Sequence, residues 1–153
     1  MEIDAKWIAG FVDGEGTFYV GIYHNKTMKS GYQVLPEFCI VQHKRDIKLL
    51  YALKRFFNAG VVRVNHDDRY EIRIRKLEVL SKQIVPFFKK NKLLTSKRFD
   101  FIKFAKIIRL MDEGEHLKPD GILKIIAIAK KMNRAKKEKA KLIEKEIENR
   151  TKI

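Results

Sequence analysis

The sequence predicts an α+β fold, in which an α-β-β-α-β-β-α core with an antiparallel four-stranded sheet precedes extra C-terminal helices. Four short segments in which apolar and polar residues alternate predict the strands, and turn residues separate these segments in pairs. Elsewhere apolar residues recur every three or four positions, which predicts helices. The chain has 153 residues and is 45% hydrophobic, so we expect one domain over residues 1–153 with a buried core.

The first predicted elements are a helix and a pair of strands. Large apolar residues before Asp13 favour a helix, which the glycines that follow it are expected to end. Residues 17–24 and 32–41 alternate with a period of two, and each predicts a strand with its even-numbered residues toward the core. Pro36 cannot donate a backbone hydrogen bond, so it predicts an edge or a bulge in the second strand.

A helix and a second pair of strands follow. Residues 44–57 are predicted to be helical, with a glycine stop at Gly60. Residues 62–65 and 69–75 again alternate, and the even-numbered residues, Val64 among them, are expected to face the core. Two β-β-α units therefore run in series.

The rest of the chain is predicted to be helical. Residues 77–85 form a helix that Pro86 is expected to close, and residues 97–112 carry the next apolar stripe. A C-terminal extension over about residues 119–150 lies beyond a core of about residues 5–112. From Lys130 onward 10 basic residues stand against 4 glutamates, which is typical of a solvated helix face, with phosphate contacts as the alternative.

The chain is strongly basic, since 34 Lys and Arg against 19 Asp and Glu give a net charge of +15. A polyanion, either nucleic acid or an anionic membrane surface, is therefore the leading class of partner, although many merely basic proteins share this charge. A single cysteine indicates a reducing, intracellular location, without separating cytoplasm, nucleoid and organelle. The sequence has no apolar run long enough for a membrane span and no basic signal-peptide region, so we expect no membrane partner.

Outward-facing residues of the predicted strands are all odd-numbered, and they form one polar face if helices cover only the other side of the sheet. Arginine pairs with guanine, asparagine or glutamine with adenine, and glutamate accepts from cytosine, so this mixture suits base edges. The ordinary solvent-exposed face of an α+β sheet explains the same alternation, and the sheet alone does not decide between the two. The candidate nucleic-acid contacts are Tyr19, Gly21, Tyr23, Gln33, Leu35, Glu37, Arg63, Asn65, Arg69, Glu71, Arg73 and Arg75.

Residues 7–16 read Trp-Ile-Ala-Gly-Phe-Val-Asp-Gly-Glu-Gly. Gly10 and Gly14 share one helix face, and two such helices can approach closely at Gly10 because no Cβ intervenes. Glu15 follows beside helix carbonyls that lack partners, and together they make a negative site that suits a divalent cation. A packed N-terminal helix with a glycine cap is the alternative interpretation.

The segment Ile8 to Gly16 resembles the signature of the LAGLIDADG homing endonucleases, with Trp7 at the usual leucine position and Glu15 where aspartate is commoner. The helix followed by two β-β-α units is similar to the core of that family over roughly residues 5–112. The resemblance implies a sheet that forms a saddle on DNA.

The resemblance also implies roles for individual residues. Glu15 is expected to be a catalytic metal ligand, with the carbonyl of Gly14 beside it. Gln42, at the end of the second strand, is expected to position solvent, and Lys97 to stabilise charge near the scissile phosphate. Asp13 matches the first acidic position of the motif and is interpreted as structural.

A single motif resembles the homodimeric members of the family, in which two motif helices pack at a two-fold axis. The implied function is site-specific cleavage of double-stranded DNA at a long pseudo-palindromic site with Mg²⁺, whose site Mn²⁺ or Ca²⁺ can occupy in vitro. The alternatives are an RNA maturase that assists intron splicing, with intron RNA as its partner, and a catalytically inactive DNA-binding regulator. The gene's origin in an intron or an intein is left open. The expected dimer contacts are Trp7, Gly10, Phe11, Asp13 and Gly14.

Overall fold

Helices and strands follow the chain in the predicted order, and further helices follow them. The computed structural model describes residues 1–132 and 137–152, with the backbone alone for 137–140, so the start of the last predicted helix, residues 134–136, lies outside the described residues. The strands are β1 (Gly16–His24), β2 (Tyr32–His43), β3 (Val61–His66) and β4 (Arg69–Ile74). The α-helices are α1 (Ala5–Glu15), α2 (Ile47–Phe57), α3 (Leu77–Val79), α4 (Val85–Lys90), α5 (Lys97–Asp112), α6 (Pro119–Ala129) and α7 (Lys137–Thr151). No helix in the described ranges is long and apolar enough to cross a membrane.

Helix α1 has a capped start and an exposed end. The side chain of Asp4 accepts a hydrogen bond from the backbone N–H of Trp7 at 2.8 Å, which satisfies one of the free donors of the first turn. Gly14 and Gly16 were both expected to end the helix; α1 continues through Gly14 to Glu15, and Gly16 is its C-cap, as predicted. The backbone N–H of Gly16 then closes the last turn on the carbonyl of Val12. The Glu15 carboxylate therefore belongs to the last turn of the helix.

The four strands form one antiparallel sheet in the order β1-β2-β4-β3. Strand β2 lies between β1 and β4, but its register with β4 does not reach Pro36, so the proline lies at a local edge, which is one of the two predicted alternatives. The register of β2 with β4 begins at Phe38 and pairs it with Ile74, beyond the proline. The missing N–H of Pro36 therefore does not interrupt that ladder.

Strand β3 lies at the edge of the sheet, and its burial departs from the prediction. Val64 was expected in the core but is 50% exposed, and Val61 is 55% exposed. A register shift lies between Val64 and His66, where the chain turns through Asp67 with a φ of 49°. The alternating pattern therefore does not predict burial where the pairing of β3 with β4 becomes irregular.

One compact unit comprises residues 1–18 and 37–98. Ile8 and Val12 of α1 and Leu50 and Leu53 of α2 are buried in its core. Aromatic rings fill the space between the sheet and the helices that follow it: Phe18, Phe38 and Phe88 pack with centroids 5.2–5.5 Å apart. The even-numbered, apolar side of the sheet therefore faces the core in this unit, as predicted.

Two helix ends in this unit differ from the prediction. Asn58, with a φ of 47°, takes the left-handed cap of α2 that was assigned to Gly60. Gly60 itself has a φ of 96°, and a Cβ there would lie 2.9 Å from the side chain of Ile74. Pro86 does not close its helix, because it lies in the first turn of α4 directly after a π-helical turn at Leu80–Ile84, where a proline is tolerated.

The other compact unit comprises residues 19–36 and 99–153. Ile122, Ile125 and Ile126 of α6 are fully buried in it, and Ile143 and Ile147 of α7 are each 4% exposed. The hydroxyl of Tyr32 donates to Glu146 at 2.9 Å, and Lys130 donates to Glu144 at 2.9 Å. These contacts fix α7 to its neighbours within the unit, so the basic C-terminal helix has an apolar anchor as well as a solvated face.

We expect Gly121→Ala to destabilise the second unit. A Cβ at Gly121 would overlap the backbone carbonyl of Glu115, which cannot move without breaking the turn before α6. Overpacking of this kind costs about 1–3 kcal/mol, so thermal denaturation should show a Tm several degrees lower than that of the wild type. Lys124→Ala, an exposed substitution on the same helix, is the control and should change stability by less than about 0.5 kcal/mol. A Gly121→Ala chain as stable as the control would contradict the close packing described here.

Candidate functional site

Glu15 and Gln42 come together at the exposed end of α1. The Nε2 of Gln42 donates to Oε2 of Glu15 at 3.4 Å, although 27 residues separate them along the chain. Gln42 lies near the end of β2, where it pairs with Tyr70 of β4. The contact places an uncharged amide donor against the carboxylate, which fixes one carboxylate oxygen and leaves the other for a further partner.

Lys97 reaches the same end of α1 from the start of α5. Its Nζ donates to the carbonyl of Val12 at 3.1 Å, the carbonyl that also accepts from the backbone N–H of Gly16. The C-terminal end of a helix carries a partial negative charge, so an ammonium group is stabilised there. The three residues expected to be catalytic, Glu15, Gln42 and Lys97, therefore all contact the last turn of one helix or lie in it.

Asp13 ties the end of α1 to the segment that leads into α5. Its carboxylate accepts from the backbone N–H groups of Leu94 and Thr95 at 2.9 and 3.0 Å and from the hydroxyl of Thr95 at 2.8 Å. Burial opposes ionisation of this carboxyl, but the three donors and the nearby charge of Lys97 outweigh it and hold the pKa of Asp13 below its ordinary value. Asp13 thus holds the segment that carries Lys97.

The other residues expected at a dimer contact lie on the side of α1 away from the core. Ile8, Ala9 and Val12 are buried, whereas Trp7 is 44% exposed and stacks on Phe11 with ring centroids 4.9 Å apart. A Cβ at Gly10 or Gly14 would meet no atom of the described residues within 4 Å. This face of α1 is open along its length.

The polar face of the first unit carries seven of the expected contacts: Glu37, Arg63, Asn65, Arg69, Glu71, Arg73 and Arg75. The prediction that Glu71 faces solvent is wrong, because it is 6% exposed and surrounded by other members of this face. Arg75 donates through Nε to Glu37 at 2.8 Å. Acidic and basic side chains on this face are therefore paired with one another within the chain.

In the second unit the expected contacts are Tyr19, Gly21, Tyr23, Gln33 and Leu35. The hydroxyls of Tyr19 and Tyr23 lie 3.4 Å apart, and Gln33 accepts from Asn25 at 3.2 Å. Gly21 is buried, and a Cβ there would lie within 2.7 Å of the ring of Tyr23. The absence of a side chain at Gly21 therefore lets the Tyr23 ring lie flat on the strand.

Glu15 and the carbonyl of Gly14 are the groups of this end of α1 that suit a hard cation, because both offer oxygen ligands. Among the described residues no group of three or more His, Cys, Asp or Glu side chains could hold a metal ion. One carboxylate and one carbonyl fit a divalent cation only if further oxygen ligands come from outside this chain.

A family model described as LAGLIDADG endonuclease matches residues 8–108. The match covers well over half of the chain and includes α1, the sheet and the positions of Glu15, Gln42 and Lys97. The chain belongs to the LAGLIDADG endonuclease family. The resemblance of residues 8–16 to the family signature is thereby confirmed.

Solved structures of the LAGLIDADG family confirm the fold class. The chain is 57% identical to the homing endonuclease I-TnaI, with a TM-score of 0.93 over 96% of this chain and 99% of that one. It is 34% identical to the LAGLIDADG homing endonuclease I-SmaMI bound to cleaved DNA, with a TM-score of 0.84 over 86% of this chain and 44% of that one. I-SmaMI bound to an uncleaved DNA target in the presence of calcium ions gives a TM-score of 0.85.

Curated relatives are longer than this chain. A probable intron-encoded endonuclease of Neurospora crassa is 32% identical over 126 residues, which cover 81% of this chain and 28% of that protein. The chain spans 24–28% of the length of three such relatives from Neurospora crassa and Podospora anserina.

Two groups of polar contacts are not predicted by the sequence, namely the hydrogen bonds of Asp13 and the contacts that bury Glu71. Nothing local connects Asp13 with Leu94 and Thr95, which lie more than 80 residues away. The burial of Glu71 has a partial signal, because the odd-numbered side of β2 carries the apolar residues Leu35, Cys39 and Val41 among its polar ones. In the sheet Cys39 is opposite Arg73, next to Glu71, and covers its carboxylate.

We expect Asp13→Ala to lower the free energy of unfolding by about 1–3 kcal/mol, because three donors lose a charged acceptor. Asp13→Asn keeps an acceptor without the charge and should lose less. The folded-state pKa lies below the ordinary 3.8, so the contribution of the charge is present above that pH and is lost as the pH falls through the lowered pKa. Chemical denaturation at several pH values should show the gap between wild type and Asp13→Asn shrinking below about pH 4. A gap that stays constant from pH 6 to pH 3 would contradict this account.

Proposed function

We propose that the chain is a DNA endonuclease that hydrolyses a phosphodiester bond with a divalent cation held at Glu15. The observation that carries the proposal is the convergence of Glu15, Gln42 and Lys97 on the exposed last turn of α1. Family membership supports it, as do the name of the Neurospora crassa relative, a probable intron-encoded endonuclease, and the DNA bound in the I-SmaMI structures.

The chemistry requires a negative oxygen site beside a positive group. Glu15 and the carbonyl of Gly14 would hold the cation, and Mg²⁺ is the one proposed because it prefers hard oxygen ligands and binds phosphate oxygens. When bound there, it would supply an activated water and offset charge on the phosphate. Calcium in a structure of I-SmaMI with uncleaved DNA supports the use of a divalent ion.

Gln42 and Lys97 have separate roles in this proposal. The Gln42 amide holds one oxygen of Glu15 and, through its own carbonyl, can accept a hydrogen bond from the water that attacks. The Lys97 ammonium donates to the carbonyl of Val12, and its positive charge at the end of α1 can stabilise a phosphate oxygen as negative charge builds up. Asp13 positions Lys97 and takes no part in the reaction.

Double-stranded DNA is the proposed substrate because the basic charge and the polar face suit it. A net charge of +15 favours a polyanion, and the arginines of β3 and β4 lie on a sheet face that also carries acceptors. A mixed face of this kind reads bases as well as phosphates, which supports cleavage at a specific site.

We propose that the enzyme works as a homodimer through the open face of α1. Each chain offers one carboxylate at the helix end, and a second copy brings a second Glu15 and hence a site for each DNA strand. Trp7 at 44% exposure and Leu94 at 87% exposure supply apolar surface, and Gly10 and Gly14 permit close approach of a second helix. The chain matches about half of I-SmaMI, which leaves room in that protein for a second domain of equal size.

Glu15→Gln should abolish cutting and leave DNA binding intact. The substitution keeps the size of the side chain but removes the charge that holds the cation, so we expect a loss in cleavage rate of at least about a hundredfold. The assay incubates the chain with a library of duplexes in Mg²⁺ or EDTA and sequences the cut ends. Glu78→Gln, which removes an exposed carboxylate that pairs with Lys82, is the matched control and should cut at the wild-type rate.

Full cutting by Glu15→Gln would overturn the proposed mechanism. Duplex binding by the wild type without Mg²⁺-dependent cutting would instead favour a DNA-binding regulator of the same fold. Binding of intron RNA without DNA cutting would favour a maturase.

Gly10→Leu tests the homodimer. No atom of the described residues lies within 4 Å of a Cβ at this position, so the first carbon of the new side chain has room, and the higher helix propensity of leucine favours the folded monomer. We therefore expect the thermal stability of the monomer to be kept or raised, while sedimentation shows at least a tenfold weaker self-association. Lys6→Leu, an exposed substitution near the start of the same helix, is the control for added apolar surface. Equal self-association of wild type and Gly10→Leu would place the dimer contact elsewhere.

A further inference from the structure

Glu71 is a buried acid on the polar face of the first unit. It is the only charged residue classed as buried among the described residues, with 6% of its surface exposed. It lies on β4, opposite Val41 of β2 and Arg63 of β3. Burying a carboxylate is costly unless charged and hydrogen-bonding partners surround it, so its partners indicate what it is for.

Both carboxylate oxygens of Glu71 have partners in the chain. Oε2 accepts from the thiol of Cys39 at 3.1 Å and from Nδ2 of Asn65 at 3.0 Å. Oε1 lies 3.3 Å from Nε of Arg63 and 4.0 Å from Nη1 of Arg73. One carboxylate therefore connects side chains from β2, β3 and β4.

The contact with Arg63 uses one edge of its guanidinium group. Nε faces Glu71, whereas the edge that donates bidentately to guanine consists of the two terminal nitrogens. Arg75 follows the same arrangement, since it donates through Nε to Glu37. Both arginines are thus held by an acid in a way that keeps their base-reading edge available.

We propose that Glu71 is a positioning residue of the DNA-reading face, which holds Arg63, Asn65 and Arg73 in place and does not itself contact a base. This inference rests on the proposed function of DNA recognition. A carboxylate with both oxygens engaged and a side chain that is 8% exposed is poorly placed to accept from a cytosine amino group. Arginines held in advance lose less conformational freedom on binding, which favours the correct base over its competitors.

Cys39 gives this inference a direct monitor, because it is the only cysteine of the chain. It is 6% exposed and lies against Glu71. Burial, with the hydrogen bond to Glu71 and its negative charge, raises the pKa of the Cys39 thiol far above its ordinary value. The thiol should therefore react slowly with Ellman's reagent in any variant that keeps this face packed.

The experiment compares Glu71→Gln with Arg63→Ala, Arg73→Ala and the surface control Glu78→Gln. Each full-length chain is mixed with a randomised duplex library in calcium buffer, and the bound duplexes are sequenced. We expect Glu71→Gln to lose about tenfold or more of its preference at the base pairs that Arg63→Ala and Arg73→Ala also affect. Combining Glu71→Gln with Arg73→Ala should add little to the loss from Arg73→Ala alone at that base pair.

Slow reaction of Cys39 with Ellman's reagent confirms that a variant has kept its fold. If Glu71→Gln exposes the thiol, Glu71→Met, which fills the same space without a charge, takes its place in the same comparison and carries the same expectation. The inference is overturned if the folded variant changes preference at a base pair that neither arginine affects, because Glu71 would then read that base itself. Unchanged preference in a folded variant overturns it as well, since a purely structural role predicts that result. Selection of no sequence by the wild type would overturn the proposed function, and this inference with it.

Discussion

The hydrogen bonds between Asp13 and residues 94–95 are the constraint on which the first unit depends. They connect the end of the first helix with the start of the fifth, which local interactions alone would leave unrelated. Because the acceptor is charged, these bonds are stronger than ordinary backbone contacts, and they fix a segment without regular structure of its own. Once that segment is fixed, Lys97 begins a helix within reach of the Val12 carbonyl. The position of the Lys97 ammonium at the end of α1 follows from these hydrogen bonds, whereas α1 itself carries Glu15 and β2 carries Gln42.

The C-terminal end of α1 is negatively charged, although the chain as a whole is strongly basic. Helix carbonyls and the Glu15 carboxylate make it negative, whereas the chain as a whole carries +15. A negative centre repels a phosphate unless a cation lies between them, and the surrounding basic charge attracts the rest of the polyanion. On the polar sheet face, the positive charges of neighbouring arginines repel one another. Glu71 and Glu37 offset this repulsion, because each forms an ion pair with an arginine and so holds its side chain in place.

Patterns that depend on neighbours in sequence were predicted well, and patterns that depend on neighbours in space were not. The fifth helix begins at Lys97 and ends at Asp112 as its apolar stripe predicts, and the apolar even-numbered residues of β1 and β2 from Phe18 to Ile40 are buried as expected. The burial predicted for Val64 is wrong at a register shift in β3, which alternation does not predict. The exposure predicted for Glu71 is wrong because its burial depends on three residues of other strands that meet it only in the sheet, Cys39, Asn65 and Arg63. The convergence of Gln42 and Lys97 on α1 came from the family resemblance, since no periodicity connects them.

Gly10 and Gly14 lower the stability of α1, and no contact among the described residues requires glycine at either position. Glycine inside a helix is less favourable than alanine by about 0.5–1 kcal/mol, and neither Gly10 nor Gly14 is needed to avoid a neighbour, since no described atom lies near either position. Elsewhere the chain uses glycine where its own structure requires it, as at Gly121 against the Glu115 carbonyl and at Gly60 with its positive φ. The glycines of α1 therefore make physical sense if something outside the chain approaches that face closely. The proposed second copy of α1 would satisfy this requirement, and the same packing would bring a second carboxylate to a centre that has few oxygen ligands among the described residues of one chain.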